Sequence, residues 1–402
     1  MKKSSFFIGL ASGMILILAL QFVFNAFYPL RYVLQEVVSE YTNQEYESFE
    51  TKVEDVIGKL NTYYYEDIDE ELLYEEAIRG YEEAIREMVD SVGDPYTTYF
   101  TKEEYASFME TMEGSYDGIG VVISYGETED EVVVVAPFKG SPGEKAGIKP
   151  NDQIIAVDHE EIKGIALDKL VERIKGPKGT EVILTVIRNG ETMDISIERA
   201  EIEIPTVEYK ILEDNIGYIA ISSFDLVTED QFENAIEQLN NQGQEGMIID
   251  LRFNPGGYLH IAYNMIDELL KEDMLVVYTV DKQGNRSELI TETKQSFDKP
   301  LVILVNGSSA SASEIMSGAI KDHDLGTIVG ETTFGKGLVQ QTIDLDDDSA
   351  VKVTVSRYYT PDGNYIQGVG IEPDIFVEED YENDVDDQLE KAIEVIKEHI
   401  NP

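Results

Sequence analysis

The period of the apolar residues switches repeatedly between residues 216 and 323, and no other property of the chain constrains its fold as much. Ile216 to Ser222, Met247 to Leu251 and Leu275 to Val280 have the short apolar pattern of strands, and Glu229 to Asn240 and Tyr258 to Leu270 have the helical pattern between them. Such alternation predicts an α/β layer. A further apolar strand, Leu301 to Val305, runs through Asn306-Gly307-Ser308-Ser309-Ala310-Ser311-Ala312-Ser313-Glu314 into a helix that ends at His323. The small residues place a serine at a helix N-terminus, where backbone N–H groups and the dipole favour developing negative charge.

A serine hydroxyl is a weak nucleophile until a base takes its proton. Further along, Phe334-Gly335-Lys336-Gly337 sets one lysine between two glycines, in a region poor in basic residues. Lysine is a base only when neutral, so its ordinary value of about 10.4 must fall by about 3 units, or about 4 kcal/mol, which apolar burial can supply. Flanking Phe334, Leu338 and Val339 fit such a pocket. Gln340 shares a face with Lys336 if Leu338 to Leu345 is a strand, and is placed to orient the amine. Met247 to Gly257 reads as a buried strand, a Gly-rich turn and the start of the Tyr258 to Leu270 helix; an amide exposed in that turn, together with that of Ala312, would make a two-donor oxyanion hole.

Each motif also has a structural reading. Ser309, Ser311 and Ser313 are all suitable helix caps, Gly-Lys-Gly is a common exposed turn, and Pro255-Gly256-Gly257 is an ordinary β-to-α turn. A Ser-His pair through His260 or His323 also stays open. His159 and His399 read as surface positions.

Taken together, the motifs resemble those of the carboxy-terminal processing proteases, PDZ-containing serine peptidases with a Ser-Lys pair. Asp250-Leu251-Arg252 with Asn254-Pro255-Gly256-Gly257, Ala310 to Glu314, and Gly335-Lys336-Gly337 with Gln340 occur in that family's order. Gly93-Asp94-Pro95-Tyr96-Thr97, Pro361-Asp362-Gly363 and Gly370 to Asp374 also match, so the resemblance runs from about residue 50 to 378. It implies a crotonase/Clp-protease-like layered α/β core, with Ser311 as nucleophile, Lys336 as general base and Gln340 as the residue that positions the lysine. Gly257 and Ala312 would be the oxyanion donors, with Gly256 a further candidate. A homodimer contact through the N-terminal helical region is implied in the same way.

The middle of the chain resembles an inserted α+β PDZ domain. Gly118, Ile119, Gly120 and Val121 match the loop that offers amides to a chain-terminal carboxylate, and Ala166 to Ile174 matches the helix beside the peptide groove. Asn151 stands where a glycine is common; Asn tolerates the same left-handed backbone. Relatives often place a domain-coupling arginine where this chain has Lys175, which lacks the planar fork. A regulatory movement of the PDZ domain, also implied by the resemblance, would need a tail with differential affinity for two states. A glycine-led hairpin without a ligand is the alternative.

Composition excludes several classes. With 402 residues and 42% hydrophobic content the chain can bury two or three domains. Net charge −49, from 80 acidic and 31 basic residues, repels nucleic-acid phosphates. The absence of cysteine removes thiol catalysis and disulfides, and there is no His-Glu-x-x-His or EF-hand spacing. Asp344 to Asp348 reads as an acidic turn. Neither a metal nor a cofactor is called for.

Lys2 and Lys3 precede an uncharged run from Ser4 to Leu30, long enough to span a bilayer and longer than a secretory apolar core. An uncleaved single-pass anchor with the rest of the chain extracytoplasmic is expected, a cleaved leader being the alternative. The expected organisation is therefore an anchor at 1–30, a linker and helical platform at 31–112, a PDZ domain at 113–200 and a serine protease core at 201–402. Within the platform, Val53, Val56, Ile57 and Leu60 have helical spacing, Asp67 to Glu71 opens a helix, and Asp94-Pro95 breaks the run. Val351 to Tyr359 is a late strand and Asp384 to Ile400 a closing helix. The expected function is a membrane-anchored endopeptidase acting on proteins or peptides with exposed C-terminal tails. The competing class is a non-catalytic PDZ sensor or scaffold.

Overall fold

The computed structural model describes residues 56, 70–126, 128, 131–294, 297–379 and 385–400. The expected anchor at 1–30 and nearly all of the expected platform before residue 70 lie outside them. Among the described residues no helix is long and apolar enough to cross a membrane. Residues up to Met88 and from Val89 onward form two compact units. Helix α1 (Glu70–Asp90) ends four residues before the expected Asp94-Pro95 break. In the second unit the short strand β1 (Thr98–Phe100) is followed by α2 (Lys102–Glu113). This helix starts at a capping box, in which Glu104 N–H donates to the Thr101 hydroxyl and the Glu104 carboxylate accepts the Thr101 N–H; it stops at left-handed Gly114.

Next come β2 (Ser115–Gly118), β3 (Val121–Tyr125), β4 (Val132–Pro137), α3 (Pro142–Ala146), β5 (Gln153–Val157) and β6 (Glu160–Glu161), then α4 (Leu167–Ile174), β7 (Glu181–Arg188), β8 (Glu191–Glu198) and β9 (Ala200–Glu203). An antiparallel sheet in the order β3-β4-β5-β7-β8 closes over fully buried Leu170, Val182, Leu184 and Val186. The chain enters through β2 and leaves through β9, and these two strands pair, Tyr116 opposite Ile202. The insert therefore has its own core and a two-stranded neck. Asn151 has φ 66°, the left-handed conformation expected of it.

The remaining elements are β10 (Val207–Ile211), β11 (Ile216–Ile221), α5 (Thr228–Asn241), β12 (Gly246–Asp250), α6 (Leu259–Leu269), β13 (Leu275–Asp281), β14 (Arg286–Ile290), β15 (Leu301–Val305), α7 (Ala312–Asp322), β16 (Thr327–Gly330), β17 (Leu338–Asp344), β18 (Ala350–Tyr359), β19 (Ile375–Phe376) and α8 (Asp387–Ile400). One sheet runs β10-β11-β12-β15-β16-β19, parallel except at β10. Its central strands are apolar on both sides because both are covered. Met247, Ile249, Leu301 and Ile303 join the core formed with α5, α6 and α7, whereas the alternate residues Ile248, Val302 and Leu304 pack with Ala392, Val395 and Ile396 of α8.

Strand β13 departs from the alternation. Its sequence reads as another layer strand, but it joins an antiparallel sheet with β14 and β18, which also pairs with β1 and β17. Only Val276 and Val277 of its seven residues are buried, and a strand of the central layer would be covered on both faces.

A carboxyl pair bridges α5 and α6. Burial raises Glu268 to about 8, and the hydrogen bond and charge of Glu233 add to it. A folded value above the unfolded one contributes stability that is complete below about pH 4.5 and is lost as pH rises through about 8. Glu268→Gln is accordingly expected to raise stability at pH 9 by on the order of 1 kcal/mol, after allowing for solvent screening, and to change it little at pH 5. Calorimetric midpoints at the two pH values check this; equal gains at both would refute it.

Candidate active site

Three neighbouring parallel strands bring together the distant motifs. Asp250 at the end of β12 lies opposite Leu304 of β15, and Val305 opposite Gly330 of β16. The Arg252-to-Gly257 turn, the Asn306-to-Ser311 turn and the Glu331-to-Lys336 loop therefore leave the same carboxyl edge of the sheet, the edge where α/β layers place their sites.

The first two turns are tied by short polar side chains. Asn306 Oδ1 accepts the Phe253 and Ser308 N–H groups at 3.0 and 3.1 Å, and the Asn254 carbonyl accepts the Ala310 N–H and the Ser313 hydroxyl, each at 3.0 Å. The Ser309 hydroxyl donates to the Leu251 carbonyl at 2.8 Å. Ser309 and Ser313 are thus buried and engaged, while Ser311 occupies the N-cap position of α7. Ser311 has φ 56° and ψ −113°, a backbone conformation that costs a non-glycine residue about 1–3 kcal/mol and here holds the residue on a sharp strand-to-helix turn. Its carbonyl accepts the buried Tyr358 hydroxyl at 3.2 Å.

Glu314 had no predicted role, yet it joins the two halves of the site. It is wholly buried. Its Oε2 accepts the Ser311 N–H at 2.9 Å and the Lys336 N–H at 2.8 Å, and its Oε1 accepts the Thr333 hydroxyl at 2.6 Å and the Gly335 N–H at 2.7 Å. The Ser-x-x-Glu spacing from Ser311 to Glu314 is a capping-box signal that could have marked it.

The predicted amides separate cleanly. Gly256 N–H donates to Asn254 Oδ1 at 2.8 Å, so it is not available as an oxyanion donor, and that expectation is corrected. Neither the Gly257 nor the Ala312 N–H donates to a protein acceptor among the described residues. A Cβ on Gly256 would lie 2.8 Å from Ser311 Cβ and 3.0 Å from the Ala312 nitrogen, so the turn abuts the serine directly.

Lys336 is half-buried. Burial lowers its amine first and the charge of Lys352 adds to this, while Glu314 and Asp94 oppose it. The apolar wall differs from expectation, because Phe334 is 56% exposed and the aromatic over the amine is Tyr96, with Nζ 5.0 Å from the ring centre. Among the described residues no hydrogen bond joins the amine to the Ser311 hydroxyl or to Gln340. Gln340 Nε2 donates instead to Thr354 Oγ1 at 3.2 Å, so direct contact between Gln340 and the lysine is corrected to contact with Thr354. His323 caps the far end of α7, about 18 Å from Ser311 at 1.5 Å per residue, and bonds the Leu275 carbonyl. His260 is exposed against Tyr258.

Arg252 anchors the turn. It binds both carboxylate oxygens of Asp250 and of Asp386, pinning the start of α8 beside the site.

In the inserted domain, Gly118 ends β2, Val121 opens β3, and the N–H groups of Ile119 and Gly120 between them have no protein acceptor among the described residues. Ile119, Val121, Ile123, Val171, Ile174 and Leu184 line an apolar groove between β3 and α4, with Tyr116 and Lys175 also on its wall. Lys175 is directed to α2, with its ammonium 2.5 Å from Glu110 and 4.5 Å above the Tyr116 ring.

Residues 215–377 match the family described as Peptidase family S41, and residues 108–187 match the PDZ domain. The chain is 39% identical over 328 residues to carboxy-terminal processing protease CtpA of Bacillus subtilis (strain 168), covering 81% of this chain and 68% of that one. It is 35% identical over 350 residues to CtpB of the same organism, covering 86% and 71%. A putative S41 protease from Bacteroides fragilis, 14% identical, aligns with a TM-score of 0.50 over 79% of this chain and 90% of that one, a likeness of fold.

Proposed function

The chain belongs to the S41 peptidase family of carboxy-terminal processing proteases and is a serine-type protease, and from that premise we propose that it captures protein tails in its PDZ groove and cleaves them with a Ser311-Lys336 pair. The observation that carries this reading is the single Glu314 oxygen that binds the backbone N–H of both residues. In the proposed reaction neutral Lys336 takes the proton of the Ser311 hydroxyl as Oγ attacks the scissile carbonyl carbon. The Gly257 and Ala312 N–H groups receive the oxyanion. Collapse breaks the C–N bond as Lys336 gives its proton to the departing amine; the neutral lysine then deprotonates a water that attacks the acyl carbon, and the C–Oγ bond breaks as the lysine returns that proton to Ser311. Gln340 bonds Thr354 across the β17-β18 pair that follows Lys336.

The free amides of Ile119 and Gly120 beside an apolar groove suit a tail ending in an apolar residue with a free carboxylate. A substrate protein with such a tail, compared with the same protein carrying a C-terminal amide, tests the capture step in the full chain. Amidation should lower kcat/KM about tenfold or more, mainly through KM, because a charge-assisted contact is lost. Equal cleavage of the two forms would remove the tail from the mechanism. Anchoring through residues 4–30, an extracytoplasmic catalytic part and a homodimer are retained as proposals, resting on the uncharged run and the family resemblance.

A further inference from the structure

The segment Gly93 to Thr98 belongs to the site although nothing in the reaction above uses it. Asp94 accepts the Thr97 hydroxyl at 2.6 Å and the Tyr96 N–H at 3.2 Å, and Thr354 also hydrogen-bonds its carboxylate. The Thr354 N–H donates to Thr97 Oγ1 at 3.2 Å, and Thr98 lies opposite Lys352 where β1 pairs with β18. The turn is thereby sealed against the strand pair β17-β18 that begins just after Lys336. It presents the Tyr96 ring to the Lys336 amine, 5.0 Å away.

We propose that Tyr96 is a positioning residue of the general base: its ring face, together with the charge of the Asp94 carboxylate, holds the Lys336 ammonium in a resting place from which the amine passes to Ser311 only once it has lost its proton. A ring face attracts a charged amine and gains little from a neutral one, so the contact is released by the same proton loss that makes the lysine a base. The groups facing the amine are Asp94 and Tyr96 from the turn, Glu314 from α7 and Lys352 from β18. Burial acts to raise Asp94, but hydrogen bonds from Thr354, Thr97 and the Tyr96 N–H outweigh it and keep the group below the ordinary carboxylate range, so it is an anion where the enzyme would work. Tyr96, Asp94 and Glu314 favour the ammonium; Lys352 and burial favour the free amine.

This inference rests on Lys336 being the base, and the pH profile of kcat/KM, which reports groups of the free enzyme, tests it. Removing either support should move the acidic limb to lower pH. Tyr96→Leu is expected to shift it by about half a pH unit or more. Tyr96→Phe, which keeps the ring, should leave the limb where it is. Asp94→Asn, close to isosteric, should shift it in the same direction as Tyr96→Leu and decides the question if the leucine variant does not fold. A uniform loss of rate with the limb unmoved in Tyr96→Leu and Asp94→Asn, or a shift to higher pH, would overturn the proposal. Lys336→Ala, measured alongside, separates the two readings. If it keeps activity with the same limb, the lysine base itself fails; if it is inactive while Tyr96→Leu leaves the limb in place, only the resting position fails.

Discussion

Ser311→Ala and Lys336→Ala are each expected to lower kcat/KM on an unfolded protein substrate by about 10⁴-fold or more while leaving the thermal midpoint within a few degrees. Under the proposed mechanism the serine variant loses the attacking oxygen, and the lysine variant loses the half-buried amine of the residue whose backbone N–H is held by the same carboxylate oxygen as that of Ser311. Because the two groups act as one device, the double variant should be little worse than either single one. The serine change leaves the Glu314 and Tyr358 bonds to the Ser311 backbone intact, so the fold should survive. Cleavage at the normal rate by both variants would remove the catalytic assignment. Activity in Lys336→Ala alone would turn attention to exposed His260, since His323 sits at the opposite end of α7 with its ring on a carbonyl.

Gly257→Ala should be the most damaging change that removes no functional group. Gly257 has φ 152°, and a Cβ there would lie 2.4 Å from the Phe224 carbonyl oxygen and 2.7 Å from its carbon, both backbone atoms that cannot swing aside. The turn must shift, and the Gly257 N–H shifts with it. A kcat loss of about 10²- to 10³-fold is expected, as for removal of one oxyanion donor, with a stability loss of about 1–3 kcal/mol from the displaced backbone. The diagnostic measurement is binding of a peptide aldehyde, whose serine adduct carries the oxyanion. It should weaken in parallel with kcat, whereas binding of an uncleaved peptide should not. A folded Gly257→Ala chain with kcat within threefold of the unaltered one would show that this amide is not a donor.

The layer was legible because its strands are short, apolar and bounded by turn residues. Ile216 to Ser222 and Met247 to Leu251 differ from the observed strands by a residue at the ends. Strand β13 was misassigned for a physical reason. An apolar strand after a helix has the same local pattern whether it enters the parallel sheet or another one, and only the pairing of Tyr278 with Tyr359 of β18 distinguishes them. At the site, Ser311 and Lys336 stood out because a serine at a helix start and a lysine between glycines are types with few uses. Asn254 and Glu314 did not, because their value lies in partners far along the chain, Ile221 for Asn254 and Lys336 for Glu314. Gly256 and Gly257 are indistinguishable as letters; the Asn254 side chain takes one amide and leaves the other free.

Period and residue type alone determined the α/β class and the chemistry that a serine and a lysine can share, because these depend on local backbone preference and on functional groups; the inserted module was legible only through its resemblance to a PDZ domain. The tertiary structure decided which amides stay unsatisfied, which carboxylate ties the two halves of the site, and that the lysine rests on Tyr96. Those outcomes depend on distances between segments that meet only when three parallel strands end at the same edge of one sheet, and no local pattern encodes them.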